Sequence, residues 1–571
     1  MQKPRSLSPL LALMIGSALH AQSQSDSLAL ANMRADIRYL ASDSLHGRET
    51  ATPYETLASD HIIARFKEAG VRPMGENGGF LQAFTLDADP VRGPLNSARI
   101  GRYTLTLDVD FYPVSWSSST SVLTRLAKCR YGIKAPEKNR DDFADVDVKD
   151  HAAAISIGSP DGIHPHSEWI DHQDIGQRIK DAVSLGANAV ILYNDDPTAT
   201  DPDSTLSKKV HACGVPVIFL TKEGQKKMGL DGEPVVISTD IIRRVLSGHN
   251  VIGMVDNGRP NMVVIGAHYD HLGMGIEGSL HRGGTDIHNG ADDNASGTAM
   301  MLQLARDLQQ MPGAKNNDYL FMAFSGEEMG LLGSNWWTKH PTAPLEELNY
   351  MINLDMVGRL DSLNTVIING VGTSPAWNKL RPDTTVAKKP RRSKKEAPPM
   401  DALKVKTTES GVGPSDHTSF YLKDIPAIHY FTGAHDDYHK PSDDEARINY
   451  DGMLRVLHHI EDLIVSLNDS GKVAFTKTAV DTNATPTFKV TLGVVPDYAY
   501  SGEGMRIDGV TDGKPAAKAG LKAGDVVLQL GEHRVTDMMS YMRGLGHFTK
   551  GEETLVTVLR EGKEVKVKVT W

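Results

Sequence analysis

Five short motifs rich in acidic residues and histidine lie in the middle of the chain, and their side chains can bind metal ions. They occupy residues 266–271, 290–297, 324–328, 353–355 and 435–443. Imidazole nitrogens and carboxylate oxygens, in a set without thiolate, suit zinc or another borderline divalent cation. The motifs therefore predict metal-dependent chemistry.

Three of the motifs follow apolar segments that have the length of buried strands. The charged side chains at or just after these segments are His268, Glu327, Glu328 and Asp355. In open α/β sheets, ligands bind at the carboxyl ends of the strands. Uncompensated charges would cost several kcal/mol to bury at such places, and bound metal ions would compensate them.

Each motif taken alone also has a purely structural interpretation. A single His after a strand is commonly a hydrogen-bonded structural residue, and a Glu-Glu pair is commonly the solvated start of a helix. The run Asp292-Asp293-Asn294 is typical of a turn or a helix N-cap. A metal site is favoured because all five motifs occur together and three of them stand at the ends of successive strands.

The elements that must position these residues follow from the hydrophobic pattern. Residues 26–86 have helical spacing, and strands at 262–267, 319–324 and 350–354 alternate with a helix at 298–309. Such alternation predicts an α/β fold, a three-layer sandwich around a mixed, mainly parallel sheet. The predicted peptidase domain comprises residues 26–100 and 246–470.

The motifs resemble, in order and character, those of co-catalytic di-zinc exopeptidases, a family that includes secreted bacterial aminopeptidases, glutamate carboxypeptidase and glutaminyl cyclase. The resemblance covers residues 26–86 and 250–468. It implies two zinc ions per chain and five protein ligands. These ligands are His268 and Asp355 for one ion, Glu328 and His439 for the other, and Asp293 as the bridge between them.

The resemblance also implies roles for residues that do not bind metal. Glu327 takes the position of the general base, and Tyr438 matches a residue that steadies the oxyanion in some members. Asp270 matches a carboxylate that orients the imidazole of His268, a common arrangement in metal sites. The peptide bond Asp293–Asn294 is expected to be cis, and the other histidines nearby are expected to play supporting roles.

The implied activity is that of a secreted aminopeptidase, which hydrolyses N-terminal residues from peptides through a metal-bridging water and the Glu327 base. Three alternatives stay open: a carboxypeptidase, a glutaminyl cyclase, and a non-catalytic, receptor-like peptide-binding protein. Cyclases of this lineage use a single zinc ion. A carboxypeptidase needs a basic residue for the substrate carboxylate, and the sequence identifies none. The complete ligand set argues against a non-catalytic protein.

Two further domains are predicted on either side of the catalytic segment. Residues 101–245 resemble the β-rich protease-associated domain that is often inserted in this family, and both cysteines, Cys129 and Cys213, fall within them. Whether these cysteines pair stays open. After a linker at 471–487, residues 488–571 resemble a PDZ domain with a β-barrel-like fold. The PDZ domain either captures peptide C-termini by strand addition or serves only in packing.

The net charge and the distribution of apolar segments indicate which partners and which cellular location to expect. The net charge of −11 argues against a nucleic-acid partner, and no segment after the N-terminus is apolar enough to span a membrane. Residues 1–21 have the layout of a secretory signal peptide, which predicts export to the periplasm or the medium. The basic, proline-rich stretch 380–403 is interpreted as a solvated loop.

Overall fold

The computed structural model describes residues 9–164, 167–208, 210–281, 284–380, 403–478, 490–496, 500, 502–510, 514–536 and 538–571. The chain divides into two compact units. One consists of Met1–Thr85, Ser247–Tyr500 and Gly504–Trp571. The other consists of Leu86–Leu246 together with Ser501–Glu503.

The helices and strands are as follows. The helices are α1 Pro9–Leu40, α2 Pro53–Glu68, α3 Ile175–Ser184, α4 Lys222–Gln225, α5 Gly297–Leu308, α6 Leu332–Lys339, α7 His417–Tyr421, α8 Tyr450–Leu467, α9 Pro515–Ala519 and α10 Met538–Leu545. The strands are β1 Arg72–Pro73, β2 Leu81–Asp87, β3 Val91–Arg92, β4 Ser97–Ile100, β5 Tyr103–Leu105, β6 Phe111–Pro113, β7 Thr120–Lys128, β8 Lys134–Ala135, β9 Arg140–Asp141, β10 Ala152–Ser156, β11 Ala189–Tyr193, β12 Val217–Leu220, β13 Pro234–Thr239, β14 Ile241–Ile242, β15 Val245–Val255, β16 Met262–His268, β17 Asp318–Phe324, β18 Leu348–Leu354, β19 Thr365–Asn369, β20 Lys404–Thr407, β21 Ala427–Phe431, β22 Val494–Pro496, β23 Met505–Val510, β24 Val526–Leu530, β25 His533–Arg534, β26 Glu553–Arg560 and β27 Lys563–Thr570.

The larger sheet has nine strands among the described residues. Its order is β1-β15-β17-β16-β18-β21-β19-β20, and β2 also pairs with β15. The central strands β17, β16, β18 and β21 run parallel, whereas β15 joins β17 and β19 joins β21 in antiparallel fashion. This arrangement confirms the predicted α/β fold with a mixed sheet.

The burial of the central strands explains why they form. Every residue of β16, β17 and β18 is buried, as expected for parallel strands covered by helices on both faces. One face packs against apolar residues of α1, α2, α5 and α8. The other packs against Trp337 of α6 and Phe420 of α7, which completes the three layers.

A buried charge cluster joins three helices on one face of the sheet. Asp36 of α1 is fully buried and accepts hydrogen bonds from Arg65 of α2 and Arg306 of α5, and it pairs with His61. Burial raises the pKa of the Asp36 carboxyl, but the hydrogen bond with His61 and the charge of Arg306 outweigh it, so that the pKa lies below its usual value. The cluster thereby holds α5 against α1 and α2.

The second unit contains an eight-stranded sheet among its described residues. The order is β5-β4-β13-β7-β10-β11-β12-β6, which gives the segment predicted to be β-rich a central sheet. Cys129 is buried, Cys213 is partly exposed, and both are free thiols. The assignment of this unit as a protease-associated domain stays a prediction.

The C-terminal residues have a hydrophobic core of their own. The sheet β22-β23-β24-β26-β27, with β25 beside β24, encloses buried side chains that include Leu492, Ile507, Val527 and Val556. The helices of this segment are α9 and α10. This segment contains the strands and helices expected of a PDZ domain.

The structure describes the predicted signal peptide and the predicted solvated loop only in part. Residues 9–21 of the predicted signal peptide form the first part of α1, and most of the predicted solvated loop, residues 381–402, lies outside the described residues. Among the described helices, none combines the length and the apolar character required to cross a membrane.

Candidate metal centre

Three adjacent parallel strands bring the predicted ligands to one edge of the sheet. His268 is the last residue of β16, Glu327 and Glu328 follow β17 closely, and Asp355 comes directly after β18. Because β17, β16 and β18 are neighbours in this order, their carboxyl ends lie side by side. The sheet therefore brings together four titratable groups from three segments that are far apart in the sequence.

Asp293 reaches the same edge from the turn that precedes α5. The turn spans Ala291–Ser296, and its Asp293–Asn294 peptide bond is cis, which confirms the prediction. The Asn294 amide donates to the backbone oxygen of Leu354 at 2.9 Å and accepts from the backbone N–H of Gly297 at 2.9 Å. Asn294 thus connects the turn to the end of β18.

A first donor group consists of His268, Asp293 and Asp355, all buried. The Nε2 atom of His268 lies 3.3 Å from Asp293 Oδ1 and 3.3 Å from Asp355 Oδ1. These separations exceed the roughly 2.7–2.9 Å of charge-assisted hydrogen bonds. They match the ligand-to-ligand distance of about 3.3 Å in a tetrahedron whose metal–ligand bonds are about 2.0–2.1 Å.

A second donor group uses the other oxygen of the same aspartate. The Nε2 atom of His439 lies 3.3 Å from Asp293 Oδ2 and 3.2 Å from Glu328 Oε2. The two carboxylate oxygens of Asp293 therefore face different groups, as a bridging carboxylate requires. The donor atoms of both groups are nitrogen and oxygen, the set that zinc accepts in mixed His/carboxylate sites.

Two imidazoles compete for the second position, because His271 also lies beside Glu328 and Asp293. Its Nδ1 atom is 2.6 Å from Glu328 Oε1, a hydrogen-bond distance, and 4.0 Å from Asp293 Oδ2. The distances made by His439 fit a shared metal better. His271 orients the Glu328 carboxylate instead, which agrees with its expected supporting role.

The predicted contact between Asp270 and His268 differs in its details. The Nδ1 atom of His268 is 3.2 Å from the backbone oxygen of Asp270 and 3.7 Å from its carboxylate. The carboxylate instead accepts hydrogen bonds from Thr50 Oγ1 at 2.9 Å and from the backbone N–H of Glu327 at 3.3 Å. Asp270 therefore orients the imidazole through its main chain, and its side chain connects the loops.

Two polar side chains that support the ligands were not identified from the sequence. Ser415 donates a 2.7 Å hydrogen bond to Asp355 Oδ2, which leaves Oδ1 directed at His268. Asp443 accepts a 3.0 Å hydrogen bond from the backbone N–H of Asp293. Asp443 lies in the last of the five motifs, but the role of each residue arises from contacts across the fold that a local pattern does not reveal.

Glu327 lies beside the donor groups without belonging to either. Burial raises the pKa of its carboxyl well above the usual value; the charge of His268 opposes this rise, and the carboxylates of Asp355 and Asp416 add to it. A carboxyl group with a raised pKa suits proton transfer near neutral pH. Asp416, which begins the segment leading into α7, is itself fully buried.

Tyr438 stacks on the ring of His439, with ring centroids 3.9 Å apart. Burial and the charges of Asp293 and Glu328 raise the pKa of its phenol. The hydroxyl group therefore stays protonated at neutral pH and remains a hydrogen-bond donor.

Comparison with known proteins gives matches for two segments. Residues 250–464 match the model of peptidase family M28, and residues 482–570 match that of the PDZ domain. Aminopeptidase YwaD of Bacillus subtilis (strain 168) is 31% identical over 191 residues, which are 32% of this chain and 37% of that protein. A probable leucine aminopeptidase of Trichophyton verrucosum is 28% identical over 215 residues, 36% of this chain and 52% of that protein.

Among solved structures, a zinc aminopeptidase from Bacillus subtilis is 20% identical, with a TM-score of 0.39. The alignment covers 78% of this chain and 98% of that one. The curated relatives, by contrast, are matched over only about a third to a half of their own lengths, 37% and 52%. The segment that matches peptidase family M28, residues 250–464, thus contains both donor groups, and residues 482–570 match the PDZ domain.

Proposed function

We propose that the protein is a zinc-dependent aminopeptidase that removes N-terminal residues from peptides. The observation that supports this most is Asp293, whose two oxygens face two separate histidine–carboxylate groups at distances of 3.3 Å. The family of the catalytic segment and the aminopeptidases among its relatives support the same activity.

The proposed zinc content is two ions per chain. His268, Asp293 and Asp355 would hold one ion, and Asp293, Glu328 and His439 the other. Three protein donors for each ion leave a position open, as in catalytic zinc sites. The chemistry that such ions would supply is to lower the pKa of a water molecule and to polarise the scissile carbonyl group.

The side chains around the donor groups carry out the proton transfers. The Glu327 carboxylate accepts a proton from the attacking water and delivers it to the nitrogen of the leaving amine, for which a raised pKa is favourable. The Tyr438 hydroxyl donates a hydrogen bond to the oxyanion that develops on the substrate carbonyl.

The charges near the centre favour an amine over a carboxylate as the end of the substrate that binds there. The carboxyl groups of Asp355 and Asp416 lie close enough to Glu327 to raise its pKa, and carboxyl oxygens beside the centre can accept hydrogen bonds from a substrate amine but repel a substrate carboxylate when they are ionised. Of the nearby arginines, Arg48 donates to backbone carbonyls and Arg359 is ion-paired with Asp437 at 3.0 Å. This distribution supports an aminopeptidase rather than a carboxypeptidase.

A panel of dipeptides with free or acetylated N-termini tests this proposal. The protein is isolated in its exported form, whose N-terminus is expected near residue 22 after removal of the signal peptide, and its zinc is counted before and after chelation. We expect two zinc ions per chain and cleavage of the free-amine dipeptides only, abolished by chelation and restored by zinc.

Each other outcome of the panel contradicts the proposal in a different way. Cleavage of the acetylated peptides from their C-terminal end would assign a carboxypeptidase. A single zinc ion with cyclisation of N-terminal glutamine would assign a glutaminyl cyclase. Bound zinc with no turnover of any substrate would favour a binding protein.

We further propose that the PDZ domain binds peptide C-termini and so recruits longer substrates. The strand β22 lies at the edge of its sheet and follows the buried Leu492 and the turn at Gly493, whose φ is +74°. An edge strand has the unpaired backbone groups that strand addition uses. Among the described PDZ residues, β22 pairs with β23 alone.

Deletion of residues 484–571 tests this recruitment. We expect KM to rise several-fold for peptides of ten or more residues and to stay unchanged for dipeptides, with kcat unaffected for both. Equal kinetics on long and short peptides would assign the PDZ domain to packing only.

A further inference from the structure

The segment between α1 and α2 contacts the loops that contain the proposed metal ligands. His46, Gly47, Arg48 and Ala51 all have positive φ angles, between 41° and 71°. A Cβ atom on Gly47 would lie 2.5 Å from the backbone oxygens of both Gly273 and His288, so only glycine fits. Non-glycine residues in the left-handed region cost about 1 kcal/mol or more each, which the surrounding contacts must offset.

Arg48 is fully buried, and among the described residues it donates hydrogen bonds only to backbone carbonyls. Its Nε donates to Tyr269 at 2.8 Å, and Nη1 donates to Leu40 at 2.5 Å and to Asn289 at 2.6 Å. Its Nη2 donates to Gly290 at 3.1 Å. A single side chain thus links three chain segments.

Two of these segments carry metal ligands. Tyr269 stands between His268 and Asp270, and Gly290 lies three residues before Asp293. The backbone oxygen of Arg48 also accepts a hydrogen bond from the N–H of His271 at 3.3 Å. Arg48 therefore fixes the distance between the loop of His268 and the turn of the shared Asp293.

The charge of Arg48 is not used in a direct ion pair. The carboxylates that interact with it electrostatically are those of Asp270, Asp293, Glu328 and Asp443, but within the described part of the chain its hydrogen bonds all go to carbonyl oxygens. Burial of a guanidinium group without a directly bound counterion is expensive. A protein tolerates this cost where its function depends on the geometry that the guanidinium group maintains.

We propose that Arg48 is a positioning residue for the metal centre: it holds His268 and Asp293 at the separation that metal binding requires. The proposal rests on the proposed two-zinc function. Arginine suits this role because its planar group donates up to five hydrogen bonds in a rigid arrangement, whereas the lysine ammonium group is a compact charge with three donors.

The proposal is tested by measuring the zinc dissociation constants of the protein. They are obtained by competition with a chromophoric chelator. The variants are Arg48→Met, which removes both the charge and the hydrogen bonds, and Arg48→Lys, which keeps the charge. We expect the dissociation constant of the more tightly bound zinc ion to rise 10- to 100-fold in Arg48→Met and about tenfold in Arg48→Lys. Effects of this size are typical of residues that orient metal ligands.

A matched control is available in the other compact unit. Arg178 is also buried and donates to the backbone oxygens of His172, Ser156 and Gly158. The variant Arg178→Met should lower the thermal midpoint of the metal-free protein but leave both zinc constants unchanged. The thermal midpoint of each metal-free Arg48 variant is also measured. A variant that unfolds near the wild-type midpoint but binds zinc more weakly has lost the positioning of the ligands rather than the fold.

The opposite results would overturn the proposal. If Arg48 acted only through its charge, Arg48→Lys would bind zinc like the wild type, and Arg48→Met would bind it more tightly because a repulsive charge is gone. Unchanged zinc constants in both variants would assign a structural role. Should Arg48→Met fail to fold, the Arg48→Lys result alone decides. A wild-type protein that binds no zinc would contradict the proposed function instead.

Discussion

Replacement of Glu327 by glutamine is expected to lower kcat about a thousandfold while both zinc ions stay bound. Glutamine has nearly the shape of glutamate but cannot accept the proton of the attacking water. General acid–base catalysis contributes about 10²–10⁴-fold, and a factor of 10³ corresponds to about 4 kcal/mol of transition-state stabilisation. Because Glu327 belongs to neither donor group, its carboxylate is not needed to hold zinc.

The measurement is steady-state hydrolysis of a free-amine dipeptide, together with the zinc content of the same sample. The exposed Glu346 in the same domain provides a control, since Glu346→Gln makes the same chemical change away from the centre and should leave kcat unaltered. Near-wild-type turnover in Glu327→Gln with both zinc ions present would show that Glu327 has a structural role only.

Replacement of Asp293 by asparagine is expected to reduce bound zinc from two ions to at most one and to abolish measurable turnover. Asp293 is the one residue that both donor groups share, through Oδ1 in one and Oδ2 in the other. Asparagine offers a single neutral oxygen. One group would then retain two protein donors, fewer than the three of catalytic zinc sites.

Zinc content by mass spectrometry of the metal and turnover of a free-amine dipeptide check this expectation. Asp318 is a suitable control because it is buried at the opposite end of β17, where it accepts a hydrogen bond from the backbone N–H of Asn257 at 2.7 Å. Asp318→Asn should lower the thermal midpoint and keep both zinc ions. Two tightly bound zinc ions in Asp293→Asn would contradict the bridging role.

The strands that carry the ligands were predicted well from the sequence. The prediction of 262–267 compares with the observed Met262–His268, and that of 319–324 with Asp318–Phe324. These strands are buried on both faces and are apolar at nearly every position, so a charged residue at the end of such a run is conspicuous. This pattern is contained in a short segment, so it can be detected without knowing which other residues the charged side chain contacts.

The supporting contacts were harder to predict because they join distant segments. Arg48 and Asn289 are separated by 241 residues, and Thr50 and Asp270 by 220. The residues around Arg48 have neither helical nor strand periodicity, and their positive φ angles are not apparent from their residue types. The predicted contact of Asp270 was imprecise for a similar reason: its main chain and its side chain both lie near His268, and only coordinates separate them.

The sequence by itself determined which residue types end the strands and in what order, because strand burial and charge are properties of short segments. Only the tertiary structure showed the distances at which the two oxygens of Asp293 face their neighbours, the second imidazole of His271 beside Glu328, and the link that Arg48 makes between the loops of His268 and Asp293. These features depend on differences of less than an ångström in the distances between segments that the fold brings together. No local pattern of residues specifies such distances.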